Sequence, residues 1–386
     1  MNSVLSDLAW PREKEARELL AQLVAIPSVN PLYDPDSSEE RLASFLVDYM
    51  AQLDIPAELD YFAPHRPNAL GSLAGSRGEK TLLWDAHTDT VQAQDMAQDP
   101  FGGQYIDGRL YGRGACDNKA SIAAILLALK TLRANGLVPK SNLQICFSGD
   151  EEGGFRGVKH LMAQGFKADG VIVGEPTELA VVIAHKGSLR WRVTVKGKAA
   201  HSSQPSLGVN AIFHMGRVLR HIEEELIPRC SEKTHPLVGS PTLCVTMIDG
   251  GEGRNTVPAQ CVINLDRRLI PGETPQEVLA DFAQALATVE GVCFTMEKPY
   301  HVDAPLATSA DTPIVRCLEN SLRACGLRPR VTGAPFGTNA SKFTGIPAVV
   351  FGPGSIAQAH AADEYVQVEE VLKAAQVLTL VALNFQ

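Results

Sequence analysis

Five short segments carry acid or imidazole side chains of the kinds that hold divalent metal ions. They are His87 and Asp89 in WDAHTDT, Asp117 in GRGACDNK, Glu151 and Glu152 in FSGDEEGG, Glu175 in VIVGEPT and His360 in PGSIAQAHAADEY. An apolar run precedes four of them. Oxygen and nitrogen ligands without a thiolate are the donor set of a hydrolytic zinc or cobalt site. In an extended segment His87 and Asp89 share a face. His87 can then bind metal while Asp89 holds the other ring nitrogen; a buried histidine beside a capping aspartate is the plainer alternative. Asp117 has two oxygens and could bridge two cations, although an aspartate ahead of a helix is commonly just an N-cap. Glu151 and Glu152 carry the most weight. Adjacent carboxylates after a buried strand repel each other and desolvate badly. A cation removes that conflict for one and leaves the other free as a base.

The elements that must position these residues alternate. Residues 12–25 and 39–53 read as helices, the second capped by Ser38. Strands are expected at 57–62, 69–73 and 81–86. Residues 120–132 form a strongly periodic helix, with Ile122, Ile125, Leu126 and Leu129 on one face. Short apolar runs at 142–147 and 170–173 suit buried parallel strands. The first half is therefore expected to be α/β, and ligands gathered from strand ends fit binding at the carboxyl edge of an open sheet. After Lys186 the order changes to strand 189–195, helix 208–227, strands 242–248 and 261–265, helix 274–287 and strand 292–296. That succession is ferredoxin-like. The chain then returns to α/β with helix 312–324, strand 348–351 and a closing helix from Val368. The expected architecture is a three-layer α/β metal domain, residues 1–186 and 297–386, with an inserted ferredoxin-like lid and dimerisation domain at 187–296.

Bulk properties exclude several classes. The chain has 386 residues, 45% of them hydrophobic, enough for two cored domains. Its formal charge is −9, with no basic stripe, which argues against a nucleic-acid partner. Its longest apolar run, residues 122–129, is far short of the roughly 20 residues a membrane helix needs. The N-terminal MNSVLSDLAWPREKEARELL has early acidic residues and no apolar core, so no signal peptide is expected. The eight cysteines include no CxxC pair, and several lie in apolar runs. A reduced, cytoplasmic setting is the simpler expectation. No G-x-G-x-x-G joins a first strand to a helix, which argues against a dinucleotide-binding protein. Ser202–Ser203 has no evident base, which discounts a serine nucleophile.

Taken with HTDTV, GRLYGRGACDNKAS, SGDEEGG, GEPT, KGKAAHSSQPSLGVNAI, GGEGRNTVP, DRRLIPGE and GPGSIAQAHAADEY, the chain resembles one family over nearly its whole length. This is the co-catalytic zinc aminoacylase and carboxypeptidase family that includes acetylornithine deacetylase and succinyl-diaminopimelate desuccinylase. The resemblance implies that His87, Asp117 and Glu175 hold one metal and that Asp117, Glu152 and His360 hold the other. It makes Glu151 the general base and Asp89 the residue that orients His87. It also implies that His201, in the insert, stabilises the oxyanion from a partner subunit. Asn255 and Arg268 would contact the substrate's carbonyl and α-carboxylate, with Lys186 at the hinge a further candidate for that task. The last block is closer to acetylornithine deacetylases than to desuccinylases.

The implied reaction is removal of an acyl group from an N-acyl amino acid, of the N-acetyl-L-ornithine deacetylase type in arginine biosynthesis. The alternatives are a desuccinylase or a dipeptidase or carboxypeptidase of the same family. The implied cofactors are two divalent ions, zinc first, with cobalt or manganese able to substitute. The implied assembly is a homodimer through the insert. Two departures stand out: Asn118–Lys119–Ala120 where the family often has Met–Lys–Gly, and Asn339 where it often has Asp. The second is expected to lie in a substrate loop and to bear on acyl preference.

Overall fold

The computed structural model describes residues 8–386; residues 1–7, part of the stretch read for a leader, lie outside the described residues. The described chain divides into two compact units. Residues 8–183 form one with Thr308–Thr332 and Thr338–Gln386. The other is Ala184–Ala307 with Gly333–Gly337.

The chain enters the first unit with helices α1 (Glu13–Val24) and α2 (Glu40–Gln52). Strands β1 (Ala57–Ala63), β2 (Arg66–Leu73), β3 (Thr81–His87), β4 (Gln104–Ile106) and β5 (Arg109–Tyr111) follow. Then come α3 (Lys119–Ala134), β6 (Asn142–Ser148), α4 (Arg156–Ala163), β7 (Gly170–Val173) and β8 (Val181–His185). The second unit is built from β9 (Gly187–Lys196), α5 (Ala211–His221), a π-helical turn (Ile222–Leu226), α6 (Ile227–Glu232), β10 (Thr242–Gly250) and β11 (Gln260–Leu269). It continues with α7 (Pro275–Leu286), β12 (Cys293–Met296), β13 (His301–Asp303) and β14 (Leu306–Ala307). The chain then returns through α8 (Pro313–Ala324), β15 (Val331–Ala334), β16 (Ala348–Val350), β17 (Tyr365–Gln367) and α9 (Val368–Asn384).

In the first unit the strand order is β1-β2-β6-β3-β7-β16-β8. The pairs β6/β3, β3/β7 and β7/β16 are parallel, while β1, β2 and β8 join antiparallel at the flanks. Parallel strands covered on both faces read as continuous apolar runs, and β3 is buried from Leu82 to His87. Helix α3 is apolar almost all round and correspondingly buried from Lys119 to Leu129. It ends at Asn135 with Gly136 at φ 61°, the left-handed stop that glycine adopts without strain. Side chains from α1, α3, α8 and α9 join Trp84, Ile145 and Ile172 of the sheet in one core cluster.

The second unit is an antiparallel sheet of order β10-β11-β9-β12. That is the ferredoxin-like arrangement, with the first and third strands, β9 and β11, in the centre and the last, β12, at the edge beside the first. Trp191, Ile263, Leu265, Met215 and Phe282 form its core, with Trp191 edge-on to Phe282 at 5.1 Å.

Several elements differ from the sequence expectation. The helix expected from residue 208 starts at Ala211, because Asn210 caps it by accepting from the N–H groups of Ile212 and Phe213. It runs on through the π-helical turn into α6, past the expected end at 227. Pro228 sits at the start of α6, where its missing N–H costs little. Strands β4, β5 and β17 form a separate small sheet and had no signal, since three residues are too few to show a period.

Candidate metal centre

The parallel strands deliver the candidate ligands at their carboxyl ends. His87 is the last residue of β3, Glu151 and Glu152 lie in the turn after β6, and Glu175 follows β7. His360 lies in the loop between β16 and β17, and Asp117 immediately precedes α3. All belong to the first unit.

These groups converge. His87 Nε2 lies 2.9 Å from Asp117 Oδ1 and 3.9 Å from Glu175 Oε1. His360 Nε2 lies 3.4 Å from Asp117 Oδ2 and 2.8 Å from Glu152 Oε1. His87, Asp117 and Glu175 offer ligand atoms all within 4.8 Å of one another, as do Asp117, Glu152 and His360, so Asp117 belongs to both sets. His87, Glu151 and Glu152 meet the same limit, and distance alone does not separate the two glutamates. Their hydrogen bonding does. Glu152 is engaged with His360, whereas the partly exposed carboxylate of Glu151 bonds to nothing among the described residues.

The electrostatics are those of a cation site. Burial and the neighbouring negative charges of Glu175, Glu152 and Asp89 push the Glu151 carboxyl well above the usual range, although His87 acts in the other direction. Glu175 is pushed well up by burial, with Asp117 and Glu152 adding to it against the pull of His87. Burial alone would raise Asp117, but hydrogen bonds to His360 and His87 outweigh it and hold the carboxyl down. Burial opposes a charge on His87, and Asp117, Asp89 and Glu175 overcome it. Hydrogen bonds to Asp117 and Glu152 bring His360 to about 10. Glu175 Oε1 is buried without a hydrogen-bond partner among the described residues, a costly state for a carboxylate oxygen unless a cation meets it. The donor set, imidazole nitrogen and carboxylate oxygen, and this orphaned oxygen both fit divalent metal.

Asp89 sits differently from the arrangement expected of it. His87 Nδ1 is 2.9 Å from the Asp89 backbone carbonyl and 3.6 Å from its carboxylate Oδ1. The backbone carbonyl is thus the nearer acceptor, and it leaves Nε2 as the ligand nitrogen. The carboxylate instead accepts the N–H groups of Glu151 at 2.9 Å and Glu152 at 3.0 Å. It clamps the turn that presents both glutamates. Asn30 Nδ2 donates to Asp89 Oδ2 at 2.7 Å and to Asp150 Oδ1 at 3.1 Å. Asp150, at φ 68°, also meets Arg66 at 2.8 Å and Arg156 at 2.8 Å, and Arg66 pairs with buried Glu39. Sequence reading missed this network, because each member is a lone polar residue with no motif around it.

Asn339 was expected in a substrate loop. It is instead buried, with 1% exposure, and its Nδ2 donates to Asp85 Oδ2 and Ser148 Oγ, both at 3.0 Å. It braces β3 and β6 just beneath their ligand-bearing ends. Lys119, of the other departure, is buried and donates to the Ile26 carbonyl at 2.8 Å, with burial lowering its ammonium to about 7.

The remaining candidates lie in the second unit. His201 is exposed and bridges to Thr256, while the Asn255 carbonyl accepts from the N–H of Ser202 at 2.8 Å. Arg268 is on β11 opposite Ser188, its Nε donating to Asp266 at 2.9 Å. Lys186 is buried and donates to the Ser240 carbonyl at 2.5 Å. Along β9 and β11 the ladder runs from Arg268↔Ser188 to Gln260↔Lys196. At about 3.3 Å per residue that is roughly 26 Å of strand, and His201 and Asn255 lie beyond its far end. The structure therefore brings together His201 with Asn255 and Lys186 with Arg268, but not the two pairs with each other.

The family model for peptidase family M20/M25/M40 matches residues 83–384. The chain belongs to that family, which makes it a hydrolase of amide bonds. It is 34% identical over 383 residues to an acetylornithine deacetylase of Myxococcus xanthus, covering 96% of this chain and 97% of that one. The fold is shared with an M20 family metallo-carboxypeptidase of Sulfolobus solfataricus at a TM-score of 0.76, with 21% identity over 96% and 99% of the two chains. It is also shared with a dinuclear metal-binding M20 peptidase of Bacillus subtilis at a TM-score of 0.74, with 15% identity over 96% and 97%.

Proposed function

We propose that the protein is a metal-dependent deacylase of N-acyl amino acids, of the N-acetyl-L-ornithine deacetylase type, serving arginine biosynthesis in the cytoplasm. One observation carries the reading: two candidate ligand sets share Asp117, and the Glu151 carboxylate lies beside them without a hydrogen bond among the described residues. The relative from Myxococcus xanthus supports the acyl and amino-acid assignment, and the eight free cysteines support a reducing compartment.

His87, Asp117 and Glu175 would hold one divalent ion, and Asp117, Glu152 and His360 the other. Zinc is the first candidate, with cobalt or manganese as substitutes. Two such ions supply polarisation of the amide carbonyl and acidification of a water molecule. Glu151 takes a proton from that water and hands it to the leaving nitrogen as the C–N bond breaks, giving a carboxylate and an amine. Burial and neighbouring negative charge raise its carboxyl, the direction that suits a group which must both accept and release a proton. Asp89 keeps Glu151 and Glu152 in register through their backbone N–H groups. His201 donates to the oxyanion, Asn255 contacts the carbonyl, and the Arg268 fork takes the α-carboxylate. Lys186 would have to exchange its Ser240 bond to join them.

We further propose that the second unit, outlined in the sequence as residues 187–296, pairs two chains into a homodimer. Strand β10 is an edge strand with Met247 and Ile248 exposed. Ile212 of α5 lies over Gly250, and Phe213 beside it is 72% exposed. Such an apolar edge invites a second copy. A dimer would also account for the separation of His201 and Asn255 from Arg268, since each site could take one pair from either chain.

The test is metal analysis of the purified protein with a hydrolysis panel run with and without chelator. The panel comprises acetylornithine, acetylcitrulline, succinyl-diaminopimelate and dipeptides. Two zinc equivalents and chelator-sensitive turnover, fastest on acetylornithine, are expected. Preference for succinyl-diaminopimelate or a dipeptide would overturn the substrate assignment, and full activity in chelator would overturn the metal reading.

A further inference from the structure

Glu364 lies four residues beyond His360, has 0% exposure, and is surrounded by donors. Its Oε1 accepts the backbone N–H groups of Cys116 and Asp117, both at 2.9 Å. Its Oε2 accepts the N–H of Gly114 at 3.1 Å and Arg113 Nη1 at 2.8 Å. The two carboxylate oxygens together thus meet a donor at each of about four acceptor positions. The connection is doubled. Arg113, also at 0% exposure, donates to the Ala361 carbonyl at 3.3 Å, and the Gly112 N–H donates to the Glu364 carbonyl at 3.1 Å. Every one of these bonds joins residues 112–117, which carry Asp117, to residues 361–364, which adjoin His360.

We infer that Glu364 is a positioning residue that staples the Asp117 segment to the His360 segment, so that both ligands are presented to one ion together. The inference rests on the two-ion reading above. Glutamate suits the task chemically. Glutamine would turn an NH₂ group, a donor, toward at least one of the donors now satisfied by an oxygen, and aspartate would fall short by one methylene. Groups that orient metal ligands from behind are typically worth about 10–100-fold in metal affinity.

The experiment is zinc titration of the full-length wild type and Glu364→Gln, followed by calorimetry and by melting with and without zinc. In Glu364→Gln at least one zinc equivalent should bind about 10–100-fold more weakly. The rise in Tm on adding zinc should shrink correspondingly, and kcat should fall with KM nearly unchanged. Arg113→Lys keeps the charge but loses the fork that reaches Ala361. It should weaken zinc in the same direction, and it carries the test if Glu364→Gln does not fold. Wild-type affinity for both equivalents, with only a lower Tm of the metal-free protein, would make Glu364 an ordinary stability residue and overturn the inference. A wild type that takes up no zinc is a separate outcome, which removes the two-ion reading and the staple with it.

Discussion

The two units treat their polar residues in opposite ways. In the first, His87, Asp117 and Glu175 are buried at the ends of adjoining strands and lie within a few ångströms of one another. In the second, His201 and Asn255 are exposed beyond one end of the β9/β11 ladder, and Arg268 sits near its other end, about 26 Å along the strands. Buried carboxylates need a positive partner; His87 and His360 meet Asp117 and Glu152, while Glu175 Oε1 has no hydrogen-bond partner among the described residues, which is the place a cation fits. An exposed histidine, or a half-buried arginine already paired with Asp266, commits its unit to nothing until a second surface meets it. The first unit therefore gathers a complete candidate metal site within one chain, while the polar candidates of the second stay apart at the two ends of its sheet.

The largest effect expected from that contrast is at Glu151. Glu151→Gln should lower kcat by about 10⁴-fold, the upper end for general acid–base catalysis, because one group handles both proton transfers. Metal content should stay near wild type. If the metal leaves with the carboxylate, the third ligand set, His87 with Glu151 and Glu152, is the real one.

His201→Ala should lower kcat by about 10²–10³-fold, the scale of one oxyanion donor. Mixed assembly tests the halves directly. Glu151→Gln and His201→Ala are each deficient alone, but a dimer holding one of each has one site with both groups intact. Co-assembly should restore roughly a quarter of wild-type activity if sites are shared across a two-fold axis. No recovery in a proven mixed dimer would place the whole cradle within one chain.

The same contrast decides what could be read from the sequence. The candidate ligands of the first unit were legible as a group because burial makes them follow apolar runs, and a strand ending in His or Glu is a visible event. The α3 helix was legible because Ile122, Ile125, Leu126 and Leu129 recur on one face. Asn30, Arg66, Asp150 and Glu364 were not, although they hold the ligand-bearing turns. Each has at least one partner far off in the chain, as in Asn30–Asp89, 59 positions apart, and Glu364–Gly114, 250 apart, and nothing local marks it. Asn339 was noticed as a departure, but its burial beneath β3 and β6 depends on packing that no local pattern encodes. In the second unit the strand and helix succession was clear from alternation, whereas the distance between its polar candidates emerged only with the register of β9 on β11.

A third test probes how far burial governs the first unit. Burial raises Asp85 to about 6, with hydrogen bonds from Ser148 and Asn339 opposing it. A carboxyl raised above its unfolded value of about 3.9 adds stability below that value and loses it as pH rises through the folded one. The unfolding free energy of the wild type relative to Asp85→Asn should thus fall by about 2 kcal/mol between pH 4 and pH 8. Urea unfolding of both proteins in chelator measures it, and a flat difference would mean that Asp85 carries no buried charge.

The smallest effect belongs to the exposed half. Arg268 spends Nε on Asp266, which also receives Arg190 at 2.7 Å, so the local ion pair survives substitution. What Arg268→Lys removes is the planar pair of terminal donors that matches a carboxylate. KM for acetylornithine should rise about 10-fold, close to 1.4 kcal/mol, with kcat and Tm little changed. A fall in kcat at constant KM would assign Arg268 to the transition state rather than to the α-carboxylate. A drop in Tm alone would mean that the Asp266 pair, not the substrate, is what Arg268 serves. An unchanged KM for a substrate lacking the α-carboxylate, beside the tenfold rise for acetylornithine, would fix the contact to that group and make the second unit's contribution one of recognition.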